Sequence, residues 1–157
     1  MKNKAETKDE TAERILISPL GMSKGLLYSA LVRIKPSFVF IITSAEAVGP
    51  LEEIKARAGF NGDVCSVITD DPFDCYKEKE EVFRRIFGIL SAGKGKKKIE
   101  VNITGGTTAI QYIVQYCSNK LKENGFDVTE YALIDRRPAD EQKNNPYTVG
   151  ELIVLSE

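Results

Sequence analysis

Ile99-Glu-Val-Asn-Ile-Thr-Gly-Gly-Thr-Thr108 decides the fold. Its first six residues, Ile99–Thr104, are rich in β-branched side chains and read as a buried strand. Two adjacent glycines follow. Thr107–Glu123 then carries Ile110, Ile113, Val114 and Cys117 at helical spacing, and Asn124-Gly125 is a good C-terminal stop. Strand, glycine turn and helix make one βα unit. Glycine permits close approach of another group to the backbone, and a helix start exposes unpaired N–H groups at the positive end of its dipole.

Working outward, a second unit of the same kind lies near the start of the chain. Arg14-Ile-Leu-Ile-Ser18 reads as a strand, Ser18-Pro-Leu-Gly-Met-Ser-Lys24 as a turn, and Lys24–Ile34 as a helix with Leu27, Leu31 and Ile34 on one side. Further strands are predicted over Phe38–Thr43, Val64–Thr69, Val128–Ile134 and Glu151–Leu155. Further helices are predicted over Leu51–Ala58, between Pro50 and Gly59, and over Glu78–Leu90. Phe83, Phe87, Ile110, Ile113 and Tyr116 should build core or dimer contacts. Residues from Asp135 to about Tyr147 read as a polar surface loop.

The order βαβαβαβα followed by ββ predicts an α/β fold, a three-layer Rossmann-like sandwich. Its sheet should be mainly parallel, with the final pair able to include an antiparallel C-terminal edge strand. Residues 1–13 are expected to be a flexible lead-in, and residues 14–157 a single ligand-binding domain. In a sheet ordered 3-2-1-4-5 the first and fourth strands are neighbours at the switch point, and ligands bind outside their carboxyl ends. The two glycine turns should meet there.

Composition narrows the chemistry. With 42% hydrophobic residues and a net charge of -1, the chain has a core and no bulk affinity for long nucleic acid or an anionic membrane. No apolar run is long enough to span a bilayer and the start is unlike a signal peptide, so the cytoplasm is the expected location. There is no histidine, and three scattered cysteines suggest neither disulfides nor zinc. No metal and no cofactor are expected. Asp70, Asp71 and Asp74 match no metal-binding spacing and read as capping and loop residues. Lys94, Lys96, Lys97 and Lys98 enter the fourth strand from the far end, as a solvated run or a weak polyanion contact. Neither G-x-G-x-x-G nor G-x-x-x-x-G-K-[ST] is present after a strand, which disfavours a dinucleotide oxidoreductase or a Mg-ATPase.

From spacing alone two readings of the turns stay open. Gly21, Gly105 and Gly106 could simply make tight βα connections, with Thr104 or Thr107 capping a helix. Alternatively, both turns grip phosphate or nucleotide with amides and hydroxyls. Arg136 and Arg137 could approach the same cleft, or pair with Asp135 and Asp140 on the surface.

Ile15-Leu-Ile-Ser-Pro-Leu-Gly-Met-Ser-Lys24 together with Val101-Asn-Ile-Thr-Gly-Gly-Thr-Thr108 resembles the CRISPR-associated Rossmann-fold (CARF) domain over roughly Arg14–Glu157. That resemblance implies a homodimer binding a cyclic oligoadenylate messenger of type III CRISPR immunity across a two-fold cleft. By similarity, Ser18, Gly21, Met22, Ser23 and Lys24 line one rim, and Thr104, Gly105, Gly106, Thr107 and Thr108 the other. Two positions depart from the pattern: Lys24 stands where members often carry proline, and Thr108 where they often carry lysine. Lys24 either supplies the missing charge or is a solvated helix-start residue.

A small stand-alone member looks like a ring nuclease. The absence of histidine suits a metal-independent route in which a ribose 2′-hydroxyl attacks the adjacent phosphodiester. Ser23 and Lys24 are the catalytic candidates, one orienting the hydroxyl and the other stabilising charge. The alternative is a non-catalytic cyclic oligoadenylate sensor, or an isolated regulatory domain acting through an effector partner.

Overall fold

The computed structural model describes residues 12–156. The expected lead-in lies outside the described residues as far as residue 11. Strand β1 already begins at Glu13, whose amide donates to the Lys96 carbonyl at 3.0 Å.

The elements run β1 (Glu13–Pro19), α1 (Lys24–Ile34), β2 (Phe38–Ser44), α2 (Leu51–Ala58), β3 (Asp63–Thr69), a 3-10 turn (Tyr76–Glu78) leading into α3 (Lys79–Ala92), and β4 (Lys97–Asn102). They continue with α4 (Thr108–Glu123), β5 (Asp127–Ile134), α5 (Ala139–Asn144) and β6 (Glu151–Ser156). The six strands form one sheet in the order β3-β2-β1-β4-β5-β6. Neighbours are parallel except β5 and β6, so the antiparallel edge strand is present.

Alternation along the strands divides the core between two faces. Ile15, Ile17, Phe40, Ile42, Ile99 and Val101 point toward Val82, Ile86 and Leu90 of α3 and Ile110, Ile113, Val114 and Cys117 of α4. Leu16, Val39 and Ile41 point the other way, toward Leu27, Leu31 and Ile34 of α1 and Ile54 of α2. A fully buried side chain of this size stabilises by about 1.5–3 kcal/mol, so helices are held on both faces. The central strands therefore need continuous apolar runs.

Two stretches differ from their sequence readings. Strand β4 stops at Asn102, short of Thr104. The Asn102 side chain accepts from the Thr104 amide at 2.9 Å and donates to its carbonyl at 3.1 Å, closing the chain into a turn where the ladder would have continued. The polar loop after β5 contains α5, which buries no residue and so has no apolar stripe to betray it. Gln142 ties it down, donating to the carbonyls of Asp135 and Arg137 at 3.1 and 2.7 Å. Among the described residues no helix is long and apolar enough to cross a membrane.

Candidate functional site

The carboxyl ends of β1 to β4 carry a belt of buried polar side chains: Ser18, Thr43, Ser44, Thr69 and Asn102. Asn102 of β4 donates to the Ser18 hydroxyl of β1 at 3.0 Å, and Ser18 donates to the Pro19 carbonyl at 2.9 Å. Thr43 donates to the Leu20 carbonyl at 2.6 Å, and Thr69 to the Thr43 carbonyl at 3.0 Å. Thr43 thereby ties the loop after β1 to β2, and Thr69 ties the end of β3 to the end of β2. Buried hydroxyls without such partners would be costly.

Above this belt the two glycine turns touch. A methyl group built on Gly21 would lie 2.6 Å from the Gly106 Cα and 2.7 Å from its nitrogen, so only glycine lets the two backbones approach this closely. Gly105 and Gly106 both have positive φ, 110° and 72°. Their carbonyls accept from Gln111 of α4 at 2.9 and 3.5 Å. Thr107 caps α4, accepting from the Ile110 amide at 3.2 Å, while its own hydroxyl donates to the Pro72 carbonyl. Thr104 accepts from the Leu133 amide at 2.9 Å, which latches the turn to β5.

A cavity of about 330 Å³ opens over this junction. Gly21, Met22, Ser23, Gly105, Gly106 and Thr107 contribute to its lining, with Glu46, Ala47, Pro72 and Phe73 from the loops after β2 and β3. Beyond the Met22–Leu26 turn lies a second cavity of about 620 Å³, reached from α1, the end of β5 and α5. Met22 and Ser23 border both.

The sequence-predicted residues thus separate. Gly21, Met22, Ser23, Gly105, Gly106 and Thr107 come together on one cavity. Ser18 lies beneath it, fully buried, and Thr104 is spent on β5. Thr108 is exposed at the start of α4, outside the cavity lining. Lys24 borders only the larger cavity, with Nζ 3.3 Å from Glu53 Oε2 and 5.7 Å from the Tyr147 ring centre. Arg136 pairs with Glu151 at 2.5 Å, and Arg137 grips Asp135 and the Asn145 carbonyl; neither borders a cavity at this end. Lys98 is paired with Asp127 at 2.8 Å at the opposite end of the sheet, where β4 begins.

By sequence, no protein-family model and no curated protein matches this chain. Its fold does match solved structures. Enterococcus italicus Csm6 bound to cyclic hexa-2′-fluoro-hexa-dAMP superposes with a TM-score of 0.66 and 13% identity, covering 93% of this chain. Can2 from Sulfobacillus thermosulfidooxidans, in complex with cyclic tetra-adenylate, gives 0.59 and 10% over 77%. A type III CRISPR defence DNA nuclease activated by cyclic oligoadenylate gives 0.57 and 17% over 76%. The likeness to these structures is one of fold. The chain spans 43%, 32% and 18% of those three chains respectively.

Electrostatics divide this site. Among the described residues no lysine or arginine lines the smaller cavity, and Glu46 does, so an anion there would be held by amides and hydroxyls. The nearby charge sits in a cluster with its own partners. Tyr147 donates to Glu53 at 2.5 Å, Lys24 reaches the same oxygen, and the Arg57 guanidinium lies 4.9 Å from the Tyr147 ring centre. The hydrogen bond from Tyr147, and then that from Lys24, hold the Glu53 carboxyl below its ordinary range. Partial burial and the bond to Glu53 push the Tyr147 phenol up to about 12.

Among the described residues no group of three or more Cys, Asp or Glu side chains is placed to hold a metal ion. Asp71 instead accepts from the Phe73 amide at 3.0 Å in a tight turn. The sequence reading missed Asn102, Thr43, Thr69 and Gln111. A signal was present: β1 to β4 each carry Ser, Thr or Asn at or next to their last position, where a purely structural strand would keep its apolar run.

Proposed function

We propose that residues 14–157 act as one unit that binds a cyclic oligoadenylate across two copies of the chain and cleaves it without a metal. The observation that carries this reading is the contact of Gly21 with Gly106 at the head of the cavity. It puts the starts of α1 and α4 on one concave surface, where helix geometry leaves first-turn amides without an i−4 partner; of these, Leu26 N already donates to the Ser23 carbonyl and Ile110 N to Thr107. The fold supports it, since proteins of this fold have been solved with cyclic hexa-2′-fluoro-hexa-dAMP and with cyclic tetra-adenylate. Size supports a dimer. A cavity of about 330 Å³ is at the small end for ligand sites, enough for one nucleotide unit, so a second copy related by two-fold symmetry would hold another unit on the opposite side of a ring.

In the cleavage step the ribose 2′-oxygen forms a bond to the adjacent phosphorus and the bond from phosphorus to the 5′-oxygen breaks. The proton leaves the 2′-hydroxyl and ends on the 5′-oxygen. The product is a linear oligoadenylate with a 2′,3′-cyclic phosphate and a 5′-hydroxyl. Ser23 suits the orienting role: it is exposed at the cavity wall, and its side chain caps no amide of α1. Lys24 would have to leave Glu53 to reach the phosphate.

That ion pair favours a second reading, a sensor that binds the ring intact and passes the signal to an effector protein. Incubating the protein with cyclic tri-, tetra- and hexa-adenylate, without metal, separates the two. Linear product by chromatography and mass spectrometry is expected. Tight binding with full recovery of intact ring would select the sensor. No saturable binding of any ring would end both readings.

A further inference from the structure

We infer that Phe73 is the stacking platform for a base of the ligand, a specificity-determining residue on the loop after β3. This rests on the cyclic oligoadenylate reading and adds a base subsite to it.

Single exposed hydrophobic residues are ordinary on a protein surface. Phe73 is not placed as one of those. Among the exposed large hydrophobics of the described residues, Met22 and Phe73 are far the most exposed, at 81% and 78%; the next, Val154, is at 53%. Both border the same cavity, Met22 from the β1–α1 turn and Phe73 from the loop after β3.

The exposure of Phe73 is also fixed by its backbone. Pro72 restricts the chain just before it, and its carbonyl accepts from Thr107 of the glycine turn. The Phe73 amide donates to the Asp71 carboxylate at 3.0 Å, and the Asp74 amide to the Asp71 carbonyl at 3.2 Å. Cys75, only 1% exposed, anchors the far side of the turn. The ring is therefore held out in water by a turn that is itself bonded to the proposed phosphate loop.

The cavity lining has the same division as a nucleotide. Gly21, Gly105, Gly106 and Thr107 offer amides and a helix start at one side, while Met22, Leu26 and Phe73 offer apolar surface over a floor of buried Leu20, Ala47 and Ile110. A base over Phe73 would lie beside the amides that hold its phosphate. Aromatic stacking suits this task because every base presents a π-face.

Phe73→Ala, Phe73→Leu and Phe73→Trp test the assignment through their affinities for cyclic tetra- and hexa-adenylate and their masses in analytical ultracentrifugation. The alanine variant should bind the preferred ring at least roughly 5- to 150-fold more weakly, the loss expected for one stacked base, and by about the square of that factor where both copies stack one. Tryptophan should bind as tightly as phenylalanine or more so, leucine should resemble alanine, and all masses should equal that of the wild-type protein. Unchanged affinity in Phe73→Ala, while the wild-type protein binds a ring, would overturn the stacking role alone. Leucine working as well as tryptophan would replace stacking with simple apolar contact, and a changed mass would assign Phe73 to a contact between copies. Failure of the wild-type protein to bind either ring would overturn the ring reading and this inference together.

Discussion

The two turns that meet at the head of the cavity are built in opposite ways. From Thr104 to Thr107 the side chains and the glycine carbonyls are committed: Thr104 to β5, the Gly105 and Gly106 carbonyls to Gln111, and Thr107 to Ile110 and Pro72. From Met22 to Lys24 little is. Met22 is 81% exposed, Ser23 caps no amide with its side chain, and Lys24 is held by a half-exposed glutamate. The rigid turn presents amides in a fixed array, at no cost in ordering when a ligand arrives. The open turn keeps adaptable side chains, which is where discrimination or chemistry can be added. A binding site gains from having one wall of each kind.

The largest effect should come from prising the walls apart. Gly21→Ala places a methyl group 2.6 Å from the Gly106 backbone, which cannot rotate away as a side chain would. We expect a loss of about 1–3 kcal/mol in chemical denaturation, the usual penalty for overpacking, and no measurable ring binding in calorimetry. Full binding by this variant would mean that the contact of the two turns has nothing to do with ligand.

A smaller pair of changes should separate the rigid wall from the open one. Thr104→Val leaves the buried Leu133 amide without its acceptor and should cost about 1–3 kcal/mol of stability. Ser23→Ala breaks no cap bond, so its unfolding midpoint should match that of the wild-type protein, while ring binding or turnover falls. If Ser23→Ala were the less stable of the two, the contrast between the walls would be false.

The meeting of the turns was legible in the sequence because it follows from topology. Right-handed crossovers make β1 and β4 neighbours, and glycines after both strands then face one another. The fate of individual side chains was not legible in the same way. Ser18 and Ser23 are both serines in one short turn, yet one is buried against Asn102 and the other lines the cavity, a difference decided by pairing with a strand far along the chain. Lys24 was readable as a cation near the site, but its partners Glu53 and Tyr147 come from α2 and from the loop after α5. No local pattern links the three. Phe73 carried no periodic signal either, since one aromatic residue among Asp and Pro looks like any loop residue until a cavity is seen beside it.

The smallest effect concerns that tether, and it decides whether the open wall supplies charge. Glu53→Gln should release Lys24 toward the cleft and tighten ring binding roughly 2- to 5-fold at neutral pH, the scale of one exposed ion pair. Lys24→Ala should weaken it by a similar factor. The pH dependence follows from the direction of the Glu53 shift. Its carboxyl is held below the ordinary value by Tyr147 and Lys24, so the pair, with whatever stability it lends the fold, is intact above the usual glutamate pKa of about 4.3. It is lost only as pH falls through the lower folded-state value. The wild-type protein and Glu53→Gln should therefore differ in ring affinity from neutral pH down through the ordinary glutamate range, and converge only at more acid pH as Glu53 is protonated. Equal affinities throughout that range, with Lys24→Ala also unchanged, would leave Lys24 a structural partner of α2 and the cleft to amides and hydroxyls alone.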